Sequence, residues 1–291
     1  MRPVRDLFVE EYWNIAFREY TEDDSVVNAK DGKTEFKLLK ASKRFWYADP
    51  FLFEKDGKTY LFVEAFDNMT EVGCIACSEY IHGQFLKPKI VLKEKFHLSY
   101  PYVFEKDGKV YMMPETHEDN CIQLYEAVDF PKKWEKKEIL VKDVDAVDTV
   151  IENDMLVASV ICPEANMSVD LAVFDSDGNE MPYSPVYKHS LEKRGAGRCF
   201  THNSMRLRPS QGCKNNVYGG KIIFNKINCC DKEKYEEEVF AEITPNNISV
   251  PVSGIPRGIH TYARTGKLEI VDIKFERYNL QRLYWIVSRK I

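Results

Sequence analysis

Apolar residues in this chain gather in short runs separated by charged turns, and the three-to-four spacing of an amphipathic helix is scarce. Pro50-Phe51-Leu52-Phe53 leads through Glu54-Lys55-Asp56-Gly57-Lys58 into Thr59-Tyr60-Leu61-Phe62-Val63. Two β-prone runs joined through Asp-Gly predict a hairpin, because a tight primed turn needs positive φ at both centre residues, which Asp accepts and Gly tolerates. The pattern then recurs: Ser99–Glu115 repeats Ala48–Glu64 after fifty-one residues, with nine of seventeen positions identical. Cys121–Ala127 follows as a third strand and Ile139-Leu140-Val141 as a fourth. Four antiparallel strands repeated at this period predict a propeller blade.

Weaker copies extend the pattern. Val147–Asp154 matches the first repeat with Asp148 in the place of Asp49, Gly197–Ser204 and Met205–Arg208 supply a fourth copy, and Ile259–Gly266 with Lys267–Asp272 a fifth. Blade starts near 49, 100, 148, 197 and 260 predict an all-β, five-bladed β-propeller with four-stranded antiparallel blades, one domain over residues 1–291. Tyr12–Tyr20 is expected to pair with the last blade, since ring closure hides the sheet edges that an open array exposes. Asp231–Phe240 has helix-favouring composition and reads either as a helix or as a loop leading into a strand.

Composition changes the picture little. The 291 residues are 44% apolar and 13% aromatic, enough for a large core. No stretch approaches the roughly 18 apolar residues of a membrane helix. The first residues carry acids where a secretion signal needs an apolar run, so a cytoplasmic location is expected. Eight cysteines, with Cys229 and Cys230 adjacent and others in apolar runs, are expected to be reduced. The net charge of −5 is spread through mixed-sign segments, which argues against a nucleic-acid partner. No phosphate-binding loop or dinucleotide fingerprint occurs in a strand-to-helix setting, and no cofactor is expected.

The candidate chemistry sits at the blade starts, where equivalent positions converge on one axis. Asp49, Tyr100, Asp148, the neighbourhood of Gly197, and His260 occupy them. The first two copies differ there, Asp49 against Tyr100, where a scaffold constraint would favour sameness, and this points to a site. Carboxylates facing one polar funnel suit glycosidic-bond chemistry, which needs one group to deliver a proton and another to act as base or nucleophile. Asp49 is the candidate base or nucleophile, with Glu115 or Asp148 as proton partner; Glu64 is the repeat counterpart of Glu115. Asp49 and Asp148 read equally as structural aspartates accepting backbone N–H groups at strand starts. His97, Tyr100, Arg194, Arg208, Gln211 and His260 are candidates to hold a sugar, the last arginines and glutamine coming from the polar stretch Arg194–Gln211. Arg208 reads alternatively as a buttress that touches no ligand. His82 and His189 read as surface residues, Cys74-x-x-Cys77 lacks the second pair of a structural zinc site, and no metal is expected.

The runs FWYADPF, FHLSYPYVFEKDGKVYMMPET, IQLYEAVDFPKKWEKKEIL, RGAGRCF, RLRPSQGC, YGG and GIHTY, in this order, resemble the N-terminal domain of the glucosamine inositolphosphorylceramide transferase family and its free-standing bacterial relatives. That family is similar to the five-bladed family 43 glycoside hydrolases. The resemblance covers residues 12 to 275 and implies a carbohydrate-active or carbohydrate-binding propeller, associated in bacteria with surface polysaccharide synthesis. It places Asp49 at the hydrolases' general-base position and Asp148 at that of the aspartate tuning the acid. Arg194-Gly195-Ala196-Gly197 stands where the acid glutamate is sought, leaving Glu115 as substitute. In the plant protein, transferase activity belongs to a separate C-terminal domain. The expected ligand is a sugar or glycan. The rival expectation is a non-catalytic sugar-binding propeller serving a partner glycan-assembly enzyme.

Overall fold

A computed structural model describes residues 9–29, 32–165, 168–214, 217–252 and 256–278. It forms five antiparallel blades around one axis. Blade one pairs Phe45–Lys55, Lys58–Asp67 and Val72–Ile81, with Gln84–Phe85 and Lys89–Leu92 both against the third strand. Blade two orders Ser99–Lys106, Lys109–Glu115, Cys121–Asp129 and Lys133–Lys142 from axis to rim. Blade three runs Ala146–Glu152, Met155–Ile161, Val169–Phe174 and Tyr187–Ser190, and blade four runs Phe200–His202, Met205–Lys214, Val217–Cys230 and Tyr235–Ile243.

Blade five closes the ring. Tyr262–Arg264 and Leu268–Tyr278 come from the chain's end, and Val9–Glu19 from its beginning adds beside them in register from Val9 opposite Tyr278 to Glu19 opposite Leu268. The expected closing strand therefore forms, beginning three residues earlier than expected. Asp231–Phe240 is not helical: a turn at Asp231 is followed by the rim strand Tyr235–Ile243. There the pairing demand of Val217–Cys230 overrides helix-favouring composition.

The hairpins follow from their turn residues. Asp56-Gly57 and Asp107-Gly108 carry φ of 51° and 73°, and of 52° and 74°. Asn153-Asp154, at 48° and 60°, and Asn203-Ser204, at 46° and 64°, are left-handed at both positions in blades three and four, so short polar side chains do here what Gly does elsewhere. Between blades one and two the core is aromatic. Phe62, wholly buried, meets Trp134 of blade two edge-on at 5.9 Å, and Phe51 meets Tyr100 at 4.7 Å. Seven cysteines among the described side chains are free, five of them buried. Among the described residues no helix is long and apolar enough to cross a membrane.

Ile15 lies in the closing strand and is wholly buried against blades one and five. If closure belongs to the cooperative unit, Ile15→Ala lowers unfolding free energy by about 2–5 kcal/mol, as for other buried aliphatic truncations. Urea denaturation checks this; an unchanged midpoint would mean that the first strand packs as an appendage.

Candidate functional site

The inner strands of blades one to three share one irregularity. Their register with the second strand breaks between Ala48 and Phe51, between Ser99 and Tyr102, and between Val147 and Val150, each time with one extra residue on the inner strand. The first residue of each bulge is left-handed: Asp49 at φ 48°, Tyr100 at 47° and Asp148 at 53°. A bulge re-aims a side chain, and here it turns three otherwise misdirected groups towards the axis. Pro50 and Pro101 follow in two of the bulges, where a residue without N–H leaves no ladder donor unpaired.

Asp49 is almost wholly buried and tied to blades two and five. Its Oδ1 accepts the Thr261 hydroxyl at 2.8 Å, and its Oδ2 accepts the Tyr100 N–H at 3.3 Å. His260 Nε2 lies 3.6 Å from Oδ1. Burial pushes the Asp49 carboxyl up to about 7 against the opposing pull of His260. His260 is itself built in: Nδ1 is 2.5 Å from Asp272 Oδ2, while Asp272 Oδ1 accepts the N–H groups of His260 and Thr261, both at 2.9 Å. Burial works against the imidazolium, but Asp272 and Asp49 outweigh it and raise the ring's pKa. Trp13 of the closing strand stacks on the imidazole at 4.1 Å, and Tyr218, 37% exposed, meets it edge-on at 5.3 Å.

Opposite stand Glu115 and Asp148. Asp148 Oδ2 accepts Arg194 Nε at 2.5 Å, and Arg194 Nη2 is 3.7 Å from Glu115 Oε2, too far for a hydrogen bond. Glu115 Oε2 has no hydrogen-bond partner among the described residues. Burial and then the Asp148 charge push Glu115 up to about 8; burial also raises Asp148, with Arg194 opposing. The Arg194 guanidinium lies 5.6 Å from the Tyr218 ring centre.

Further round, His97 Nε2 faces Glu64 Oε1 at 3.1 Å while its Nδ1 accepts the Gly73 N–H at 3.1 Å. The Gly73 N–H requires a bare Nδ1, so the proton sits on Nε2 towards Glu64. Burial lowers the pKa of this ring and the Glu64 hydrogen bond and charge pull it up, but a second proton would have to displace the Gly73 N–H from Nδ1, so the ring acts here as a neutral donor to Glu64. His117 Nε2 approaches Glu115 Oε1 at 3.9 Å.

The sugar-holding candidates divide into two sets. Arg194, His260 and His97 reach the funnel carboxylates. Tyr100 is wholly buried, with its hydroxyl accepting the Gly197 N–H at 2.7 Å across the axis. Arg208 and Gln211 lie behind the site: Arg208 forms a two-pronged ion pair with Glu237, both contacts 2.8 Å, and donates to the Lys193 carbonyl; Gln211 holds the Gly195 carbonyl at 2.9 Å and the Arg194 carbonyl through its N–H at 2.8 Å. The RP-x-Q run thus clamps residues 193–195 so that Arg194 points at Asp148. Asp272, Trp13, Thr261 and Tyr218 complete the site and went unread in the sequence, although GIHTY and YGG contain two of them, Thr261 and Tyr218. Asp49, His260 and Asp272 also present ligand atoms within 4.8 Å of one another, a set of hard oxygens and one imidazole that suits a divalent cation.

Two consequences can be measured. A methyl group at Gly195 would sit 2.7 Å from both Asp148 Cβ and the Asp148 carbonyl oxygen, and 3.0 Å from the Tyr100 hydroxyl. Gly195→Ala is therefore expected to cost about 1–3 kcal/mol through overpacking, read by thermal or urea unfolding. Glu237 is held down to about 2 because Arg208 and Lys193 outweigh its burial. A depressed carboxylate stabilises the fold above its unfolded value near 4.5, and that contribution fades as pH falls towards 2. Glu237→Gln should thus lose about 3–5 kcal/mol at neutral pH, the cost of stranding Arg208, and show a flatter acid limb in its stability curve.

With this geometry in view, the family model described as glucosamine inositolphosphorylceramide transferase 1, N-terminal, matches residues 38–254. The protein of that name from Arabidopsis thaliana is 32% identical over 203 residues, covering 65% of this chain and 26% of the relative, and the one from Oryza sativa subsp. japonica is 31% identical over 205 residues, covering 65% and 27%. The match thus spans about a quarter of those relatives' length. Among solved structures, the catalytic domain of Coprinopsis cinerea GH62 α-L-arabinofuranosidase superposes with a TM-score of 0.53 at 10% identity, covering 83% of this chain and 96% of that one. The α-L-arabinanase of Cellvibrio cellulosa gives 0.50 at 13% identity, covering 70% and 85%. These two likenesses bear on fold alone. The residues matched by the family model take in four of the five blade starts, with Asp49, Glu115, Asp148 and Arg194 among them, and the chain belongs to the glucosamine inositolphosphorylceramide transferase N-terminal family.

Proposed function

We propose that the funnel binds a sugar and acts on its glycosidic bond, with Glu115 as proton donor and Asp49 as base or nucleophile, in the synthesis of a surface glycan or glycolipid. The reading is carried by the contrast between these two carboxyls. Glu115 keeps a buried oxygen without a hydrogen-bond partner among the described residues and is pushed up to about 8, which keeps it protonated at neutral pH. Asp49 accepts a hydroxyl and an N–H beside His260, all of which favour its charged form. Environments that separate two carboxyls into acid and base are the mark of glycosidic chemistry. Asp148 and Arg194 tune the acid: Arg194 partly neutralises Asp148, whose bare charge would hold Glu115 protonated too firmly to release a proton. Tyr218, partly exposed, offers aromatic surface beside the polar groups, as sugar rings require.

A second reading, a sugar-binding propeller that presents a glycan to a partner assembly enzyme, is favoured by one observation. Both Asp49 oxygens are already engaged within the protein. Screening aryl glycosides and activated sugars for turnover separates the two. Acid–base chemistry requires a bell-shaped profile: activity falls below about pH 7 as Asp49 takes up a proton, and above about pH 8 as Glu115 loses one. Glu115→Gln and Asp49→Asn should each cost about 10²-fold or more in kcat. Full turnover by both variants would sink the catalytic assignment. Glycan binding without turnover, unaltered in Glu115→Gln, would establish the binding reading instead.

A further inference from the structure

On the rim of blade three, away from the axis, Cys162, Asp170 and His189 each bring a potential ligand atom to within 4.8 Å of the other two. Cys162 closes the second strand, Asp170 stands near the start of the third, and His189 lies in the outermost strand. The Cys162 thiol donates to Asp170 Oδ1 at 3.0 Å, and His189 Nδ1 lies 3.6 Å from the same oxygen. The placement of His189 has a cause. Val169 pairs with Ser190 and Leu171 with Tyr187, so the outer strand carries one extra residue, and His189 in that bulge is left-handed at φ 50°. Its N–H donates to Asp170 Oδ1 at 2.7 Å, which pins the bulge and brings the imidazole to the side of the thiol and carboxylate. A histidine at positive φ is uncommon, and a bulge that re-aims a side chain commonly serves a site.

We infer that these three residues form a binding site for a borderline divalent transition metal of the zinc class. Thiolate, imidazole and carboxylate together are the donors such ions take, in contrast to the all-oxygen sets of magnesium or calcium. With bonds of about 2.0–2.3 Å, tetrahedral coordination sets ligand atoms roughly 3.3–3.5 Å apart, between the two separations seen. The ion takes the place of the thiol proton that now bridges Cys162 to Asp170, and that proton passes to solvent. Water fills the fourth position, because His189 is exposed and the site opens to the rim. The site lies at the end of blade three where Asp148 turns to the axis, and His189 precedes Arg194 by five residues. A bound ion would anchor the base of the segment that delivers Arg194.

Titration of the reduced protein with Co²⁺ alone, followed by Zn²⁺, tests this. One equivalent of Co²⁺ should give a thiolate-to-metal charge-transfer band that Zn²⁺ bleaches, and release one proton at neutral pH. Cys162→Ser should abolish the band, while His189→Ala and Asp170→Asn should each weaken Co²⁺ binding at least 10-fold. The partly exposed positions of Cys162, Asp170 and His189 leave the fold of these variants intact, which circular dichroism verifies. The Asp49, His260 and Asp272 set contains no sulfur and contributes nothing to that band. Absence of the band, its persistence in Cys162→Ser, or undiminished binding by both other variants would each overturn the site.

Discussion

The site depends on a backbone conformation that most side chains resist. A left-handed residue costs of order 1–3 kcal/mol unless its surroundings impose it, and three blades place one at the same point of the inner strand. Aspartate accepts this conformation readily, as at 49 and 148; tyrosine does not. Tyr100 is held by contacts from three directions: its N–H bonds to Asp49, its hydroxyl to the Gly197 N–H, and its ring packs edge-on against Phe51. The strain is therefore carried by contacts with blades one and four. Gly197, at φ 127°, makes this possible, since a side chain there would meet the Tyr262 carbonyl at 2.0 Å. A phenol in place of a carboxylate in blade two keeps a further charge away from an axis that already holds Asp49, Glu115 and Asp148.

That clustering is an electrostatic problem with a structural solution. Asp49, Glu64, Glu115, Asp148 and Asp272 are all buried; Arg194 and His260 are their principal counter-ions, and His97 faces Glu64 with its Nε2. Like charges without water cannot all ionise, so protons are retained on the least supported members, and Glu115 is the least supported. Where Arg194 sits therefore decides which acid keeps its proton. Its position is set from behind, by Arg208 and Gln211 gripping three consecutive carbonyls from Lys193 to Gly195. Arg208 can be buried only because Glu237 pairs both prongs of its guanidinium, and Lys193 Nζ bonds to the same glutamate. Residues two layers removed from the axis thus govern the protonation of the funnel.

This layering explains what was legible in the sequence. The repeat, its Asp-Gly turns and its blade starts are local signals: primed-turn chemistry and β-prone runs act within a dozen residues, and each is written more than once. Asp49, Asp148 and Tyr100 stood out because the copies align them. Arg208 and Gln211 stood out for polarity alone, and polarity does not tell a ligand contact from a clamp. Asp272 and Trp13 occur once, in strand interiors, and acquire meaning only through pairing across the closure, Trp13 opposite Lys274 and Ile15 opposite Asp272. His189 read as a surface residue and is exposed; its placement beside Asp170 went unread because a bulge one residue long leaves no mark in composition. Asp231–Phe240 read either as a helix or as a loop leading into a strand for the complementary reason, since the rim-strand pairing that decides for the second is a long-range demand that local propensity opposes.

Closure of the ring and construction of the site are consequently one event. Trp13 arrives with the first strand and stacks on His260; the strand it joins supplies Asp272, which sets the imidazole by Nδ1 and aligns the His260 and Thr261 N–H groups. Thr261 in turn holds Asp49. An unbroken chain of contacts therefore runs from the N-terminal strand to the candidate base, over more than two hundred residues of sequence. In a repeat architecture each blade depends chiefly on its neighbours, and the join is where that sequence of neighbours would end. By routing the support of Asp49 through the join, the protein acquires a complete funnel only when its first and last strands have met.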